Sequence, residues 1–343
     1  MFSYHLEENE IVQIKGISSV NYFSIKPNLT KSILIGDDGE HLFECDMRML
    51  TNKSQASNVL EPKLNIQPID LTIANQCGGN EKWHILELHG TNDQLFDAVA
   101  IAATASRMVI LKYDAKIGRF KPVRSLDTAK AITSILFTQH SAIVSCDKFF
   151  EIDLSSFVAE EFLDMSDQSL RPTRTCHPMN VFRINSREFL MCFREYGVYV
   201  DEYGLRARPE NLEWVHEPIE FFYKNYLLYI IHEDMVQIMR INNSYTKHEL
   251  NQTTDNNQAR TFVLMNNEKK FTHNGSTGQY CVNVLRKKGM DDGEHVTQDL
   301  IKIDAEKAFK VNENRSMGSV ISSSSSTSLA TLASNRSSLD TIN

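Results

Sequence analysis

Hydrophobic and polar positions between residues 33 and 287 repeat one motif. Two runs rich in β-branched and aromatic residues flank a short polar break, which is the pattern of a strand hairpin. Six stretches carry it: ILIGDDGEHLFECDM from Ile33, VAIAATASRMVILKYD from Val99, AIVSCDKFFEIDL from Ala142, FLMCFREYGVYVDEYG from Phe189, YLLYIIHEDMVQIMRI from Tyr226 and GQYCVNVLRKKG from Gly278. From Ile33 to Gly278 the five steps cover 245 positions, about 49 residues each. A four-stranded propeller blade takes roughly 40–50.

Shorter strand-like runs precede most of these hairpins: ISSVNYFSI before the first, AITSILFT before the third, MNVFRI before the fourth, PIEFFYK before the fifth and ARTFVLM before the sixth. The predicted unit is a strand, a turn and a hairpin, an antiparallel meander with no room for βαβ crossovers. In HLFECDM, Leu42, Glu44 and Asp46 alternate with His41, Phe43, Cys45 and Met47, whereas YLLYIIH is almost continuously apolar. Continuous runs fit strands buried on both faces, as where blades pack side by side. The prolines and polar residues of 51–70 suit a long excursion between blades. From residue 312 the chain turns Ser-rich and nearly free of aromatics, too poor in apolar surface to offset its chain entropy. The expected organisation is one all-β domain over 1–311 and a disordered tail over 312–343.

Composition narrows the function. A chain of 343 residues, 41% of them hydrophobic, can bury a large core. A net charge of −8 and a pI near 5.8 argue against the broad basic surface that a nucleic-acid partner requires. The six cysteines lack CxxC spacing, and Cys146, Cys192 and Cys281 sit inside apolar runs, as buried reduced thiols do. MFSYHLEENEIVQIKG has acidic residues where a signal peptide needs a basic start, and no apolar run is long enough to span a bilayer. A cytoplasmic setting is expected.

Motifs of catalysis are missing. The sequence has no GxGxxG after a strand, no GxxxxGK[ST], HExxH or GxSxG, and neither HRD nor DFG of a protein kinase. No enzymatic activity, cofactor or metal is therefore expected. The carboxylate pairs Asp37-Asp38, Glu160-Glu161 and Asp291-Asp292 adjoin polar breaks and read as turns, with Gly39 supplying a positive φ after the first. His84, His89, His216 and His232 have no ligand-like spacing, and Trp83 and Trp214 read as packing residues. A propeller enzyme would need charges converging on its central channel, for which Asp153, Glu195 and Asp201 are the strand carboxylates available.

One block is more specific. Glu188-Phe189-Leu190-Met191-Cys192-Phe193, then Glu195-Tyr196-Gly197-Val198-Tyr199-Val200-Asp201, then Gly204, Arg206, Arg208 and Leu212-Glu213-Trp214, resembles the most recognisable stretch of the citron homology domain. SRMVILKYDAKIGRF (106–120) and AIVSCDKFFEIDLSSFVAEEFLDMSDQSL (142–170) are similar to the citron-type kinases within that family. Leu205 and Ala207 stand where the family's G-R-R-S-R turn has Arg and Ser. The resemblance implies a seven-bladed β-propeller that binds other proteins: a small GTPase of the Rho type or cytoskeletal proteins, at the cleavage furrow or midbody. The parent would be a citron-type Rho-effector kinase acting in cytokinesis, or alternatively a Rho exchange factor or vesicle-tethering protein. Arg194, Tyr196, Arg206, Arg208 and Trp214 are the candidate partner-binding residues. In citron-type relatives a further strand precedes the equivalent of Met1–Leu6, so the first blade is expected to be incomplete and the chain a fragment of a longer one.

Overall fold

The structure is a computed structural model that describes residues 30–36, 38–46, 65–71, 81–90, 98–233 and 235–241, together with the backbone course of strands at 2–5, 10–13, 20–24, 259–263, 269–273, 281–287 and 296–302. It is all-β, and the chain divides into two compact units, Met1–Leu212 and Glu213–Asn343.

In the first unit, β1 (Phe2–His5) pairs with β2 (Glu10–Gln13). Four antiparallel sheets of four strands follow, each built in chain order. The first holds β3 (Val20–Ser24), β4 (Lys31–Gly36), β5 (Leu42–Asp46) and β6 (Asn65–Pro68). The second holds β7 (Ile85–His89), β8 (Val99–Ala103), β9 (Arg107–Asp114) and β10 (Arg119–Asp127). The third holds β11 (Ser134–Phe137), β12 (Ser141–Ser145), β13 (Phe149–Asp153) and β14 (Ala159–Glu161). The fourth holds β15 (Pro178–Arg183), β16 (Glu188–Phe193), β17 (Tyr196–Asp201) and β18 (Arg206–Glu213). In the second unit, β19 (Glu220–Lys224), β20 (Leu227–Ile231), β21 (Met235–Arg240) and β22 (Ala259–Val263) form a four-stranded sheet. There β23 (Lys269–His273), β24 (Cys281–Lys287) and β25 (Val296–Lys302) form a three-stranded one.

The continuous apolar runs have a direct explanation. Along β8 and the residue before it, Ala98, Ala100 and Ala102 join a core shared with β4, β5 and β7, while Val99, Ile101 and Ala103 join a second core shared with β12 and β13. On β9, Val109 and Leu111 go to the first core and Met108 and Ile110 to the second. A third core repeats the arrangement, joining Ile143 and Phe149 to Phe189, Met191 and Phe193. Cores thus lie between consecutive sheets, and successive side chains of one strand serve different cores because they point to opposite faces.

Polar side chains tie neighbouring sheets as well. Glu44, buried on β5, accepts bonds from Arg119 Nε (3.0 Å) and the Phe120 amide (3.0 Å) of the next sheet. Lys31 Nζ reaches the carbonyl of Gly118 at 2.5 Å, and Lys112 Nζ that of Leu154 at 2.8 Å, each crossing to the turn of the following sheet.

Five of the six predicted hairpins form as read. The sixth does not: GQYCVNVLRKKG contains one strand, β24, which pairs with β23 and β25. ARTFVLM does not open a new unit either, since β22 completes the preceding sheet by pairing with β21. Part of the predicted 51–70 excursion is a strand, β6, paired to β5. The outer strands β6, β10, β14 and β18 went unread because an edge strand with one covered side can be polar and carry proline. Pro68, Pro122 and Pro209 lie in three of them. The N-terminal sheet has two strands among the described residues, and residues 312–343 lie outside them. No helix among the described residues is long and apolar enough to cross a membrane.

Candidate protein-interaction site

The candidate site lies on the fourth sheet. All six residues of β16, EFLMCF, are buried. Phe193 packs edge-on against Phe149 at 5.2 Å, and Phe189 against Phe162 at 5.5 Å, seating the sheet on its predecessor.

At the head of β16, Glu188 is buried as well, although it is a carboxylate. Burying a charge is costly unless it is paired and hydrogen-bonded. Glu188 has both: Arg208 on β18 donates through Nε and Nη2 at 2.7 Å each, and Asn185 Nδ2 donates at 2.8 Å. The Arg208 guanidinium lies 4.0 Å from the centre of the Tyr199 ring, so the pair is roofed by an aromatic face. Burial pushes the Tyr199 hydroxyl well above its usual range. Burial works against the Arg208 charge too, but the Glu188 bond together with the charges of Tyr199, Glu188 and Glu210 overcomes it, and the guanidinium is held more firmly protonated.

Arg206 is also occupied. Its Nε donates to the Arg208 carbonyl (2.8 Å), Nη2 to the Pro209 carbonyl (2.9 Å) and to Asn211 Oδ1, and Nη1 to the Ser169 carbonyl (3.4 Å). Its amide is accepted by Asp167 Oδ2 at 3.1 Å. Both arginines were expected in a turn; they lie instead in β18, folded back onto the sheet.

The turn before β18 is locked. Asp201 Oδ1 accepts the amides of Tyr203 (2.9 Å) and Leu205 (3.0 Å), and Leu205 O accepts the Asp201 amide at 2.8 Å. Gly204 takes φ +76°, and its carbonyl accepts the Asp164 amide of the preceding sheet's exit loop at 3.0 Å. The tip this produces exposes Tyr203 (74%) and Leu205 (37%). From the sequence Leu205 stands out only as a departure from the family's turn and Tyr203 not at all; the signal is apolar side chains flanking a glycine inside a predicted turn.

Arg194 is exposed at the β16–β17 turn, where its amide donates to the His177 carbonyl at 2.9 Å. Beside it Glu195 accepts from the His177 amide (3.0 Å) and pairs with His177 Nδ1 (2.9 Å). Burial alone would raise the Glu195 carboxyl, yet the two His177 bonds, a bond from its own backbone and the His177 charge together hold it below the ordinary range. Tyr196 packs on Phe193 and is pushed well up, chiefly by burial and then by its bond with Cys176. Trp214 belongs to the second unit, where it packs on Phe221 at 5.1 Å. The structure joins Arg206 to Arg208 by a hydrogen bond, sets Arg194 and Tyr196 together on the β16–β17 hairpin, and assigns Trp214 to the second unit.

The carboxylates considered for a ligand site are used locally. Asp153 Oδ1 accepts from the amides and hydroxyls of Ser155 and Ser156, and Asp201 holds its own turn. Asp38, Glu40 and His41 bring ligand-type atoms within 4.8 Å of one another, all exposed, and Asp38 there accepts the Glu40 amide at 2.8 Å in the hairpin turn.

Asp167 makes a testable link to acidity. Bonds from the Ser169 side chain, the Arg206 amide and the Ser169 amide lower its pKa from the ordinary 3.8. A depressed carboxyl stabilises the fold above its unfolded value, and that contribution is lost as pH falls through the folded value. Asp167→Asn is therefore expected to lower the melting temperature near neutral pH, and the gap to the unsubstituted chain should close below about pH 3.8. Thermal unfolding across that range checks it; a gap that stays constant would deny the linkage.

Comparison with known proteins gives a consistent picture. The family model described as the CNH domain matches residues 1–263. Citron Rho-interacting kinase of Homo sapiens is 27% identical over 250 residues, covering 70% of this chain and 12% of that protein's length. Rho1 guanine nucleotide exchange factor 1 of Schizosaccharomyces pombe is 30% identical over 104 residues, 29% of this chain and 8% of that protein. Among solved structures, the AfRom2 CNH domain superposes with a TM-score of 0.60 at 16% identity, covering 87% of this chain and 84% of its own. The WD40 domain of SCAP from fission yeast follows at TM-score 0.51 and 8% identity, with coverages of 89% and 77%.

Proposed function

Since the chain belongs to the CNH domain family, we propose that it is a non-catalytic, seven-bladed propeller that works as a protein-interaction module of a Rho-linked regulatory protein. The observation that carries the reading is the family match over residues 1–263, which runs through the Glu188–Trp214 block. The relatives named for Rho, a kinase and an exchange factor, support a small GTPase of the Rho type as partner, with cytoskeletal proteins as the other class. The 250-residue match to the citron kinase favours a parent of that kind, acting in cytokinesis from the cytoplasm at the cleavage furrow or midbody. A parent of the exchange-factor or vesicle-tethering type is the second reading, favoured by the 104-residue match to the fission-yeast exchange factor. In either setting the purified chain is expected to leave ATP unhydrolysed.

Calorimetric titration against a Rho-type GTPase, loaded with GDP or a non-hydrolysable GTP analogue, tests the reading, alongside co-sedimentation with filamentous actin. Saturable binding to either, with a Kd at or below about 10 µM, supports it. A folded chain that binds neither in any nucleotide state overturns it.

A further inference from the structure

The tip of the β17–β18 turn is the feature that the stability of the sheet does not account for. Tyr203 is 74% exposed, yet the backbone beneath it is fixed by Asp201 Oδ1, by the Asp201–Leu205 bond and by the Gly204–Asp164 bond. A rigid aromatic displayed on an immobile turn binds without first losing backbone freedom, which is how anchor residues of interfaces work. Leu205 adds a second apolar side chain where the resembled family has Arg.

The surroundings set the sign of the partner. Contacts at Gly204 and Arg206 bring the segment Phe162–Asp167 against this turn. Segments 159–167 and 201–206 together hold six carboxylates, Glu160, Glu161, Asp164, Asp167, Asp201 and Glu202, against one basic residue, Arg206. The Arg206 guanidinium is bonded to two carbonyls and an amide oxygen of its own strand and to the Ser169 carbonyl of the 3-10 turn. Lys148 offsets part of the charge by pairing with Glu161 at 2.6 Å, and Arg171 and Arg174 lie further along the 3-10 turn (Gln168–Thr175). The turn read from sequence as a basic contact thus presents apolar side chains among carboxylates.

We infer that this tip docks a basic segment of a partner protein, one whose apolar side chain packs on Tyr203 and Leu205 while its lysines or arginines face Glu160, Asp164 and Glu202. The inference rests on reading the chain as an interaction module, and it specifies the chemistry of the partner.

The probe is a fluorescein-labelled twelve-residue peptide with four arginines, two leucines and Gly-Ser spacers, titrated by anisotropy into the full chain. A second peptide carries glutamate in place of each arginine. Binding of the arginine peptide alone, weakened about tenfold or more by Tyr203→Ser/Leu205→Ser and by added salt, is the expected result. The exposed double substitution should leave the melting temperature within about one degree of the unsubstituted chain. No binding up to about 1 mM, equal binding of the glutamate peptide, or undiminished binding by the double variant overturns the inference. So does self-association of the chain in sedimentation velocity that the double variant abolishes, because the occupant is then a second copy. Peptide binding that survives in the double variant sinks this surface and leaves the module reading intact. A chain that binds the peptide at this turn but binds neither GTPase nor actin sinks the module reading alone.

Discussion

Gly204→Ala is expected to destabilise the first unit by about 3 kcal/mol or more, well beyond the cost of an ordinary surface substitution. Two effects add. The backbone at φ +76° costs an L-residue about 1–2 kcal/mol. A methyl group there would also sit 1.9 Å from the Phe162 carbonyl oxygen and 3.0 Å from the Asp164 amide, and both are backbone atoms that cannot swing aside. Moving the turn away breaks the Asp164–Gly204 hydrogen bond between two sheets. Gly118→Ala separates the two effects, because Gly118 has φ +70° but meets nothing nearer than the Tyr113 hydroxyl at 3.6 Å. That variant should lose about 1 kcal/mol. Urea unfolding of both checks the argument, and equal losses would show that the close approach to Phe162 is immaterial.

Arg208→Ala should cost about 3–5 kcal/mol, because it leaves Glu188 buried without its cation. Glu188→Ala should cost a similar amount by stranding the guanidinium under the Tyr199 ring. Replacing both together with Met and Leu removes the charges as well as the pairing, and should restore most of the loss. The double-mutant cycle is the measurement. Additive losses would mean that the 2.7 Å contacts carry no coupling energy. One practical consequence is that alanine at Arg208 cannot report on partner binding without also loosening the sheet.

What the sequence revealed depended on which strands it had to reveal. The middle strands, β8 with β9 and β16 with β17, were legible because burial on both faces demands unbroken apolar runs such as Val99–Ala103. The outer strands were not. RARPENLE in β18 alternates no apolar residues and contains a proline, so its arginines looked like turn residues. At the site, the importance of Gly204 and Arg208 was visible as residue types, but their use was not. Nothing in the order of residues shows that Glu188 folds against a strand twenty positions on, or that the exit loop at Phe162 leaves no space for a side chain. The display of Tyr203 and Leu205 was not legible because exposure is set by how a turn is held, and that holding comes from Asp201 and Asp164.

The meander order has a consequence for how the chain is made. Within each four-stranded sheet of the first unit, every strand pairs with the strand next to it in sequence, and each core joins one sheet to the next in the chain. No pairing there waits for a distant segment, so loop closure is short at every step, which keeps contact order low for a β protein. A ribosome emitting about 5–20 residues per second delivers one such unit every few seconds, far longer than the microseconds a hairpin needs to form. Each new sheet then emerges beside a finished face ready to cover it, and its apolar edges spend little time exposed to other chains.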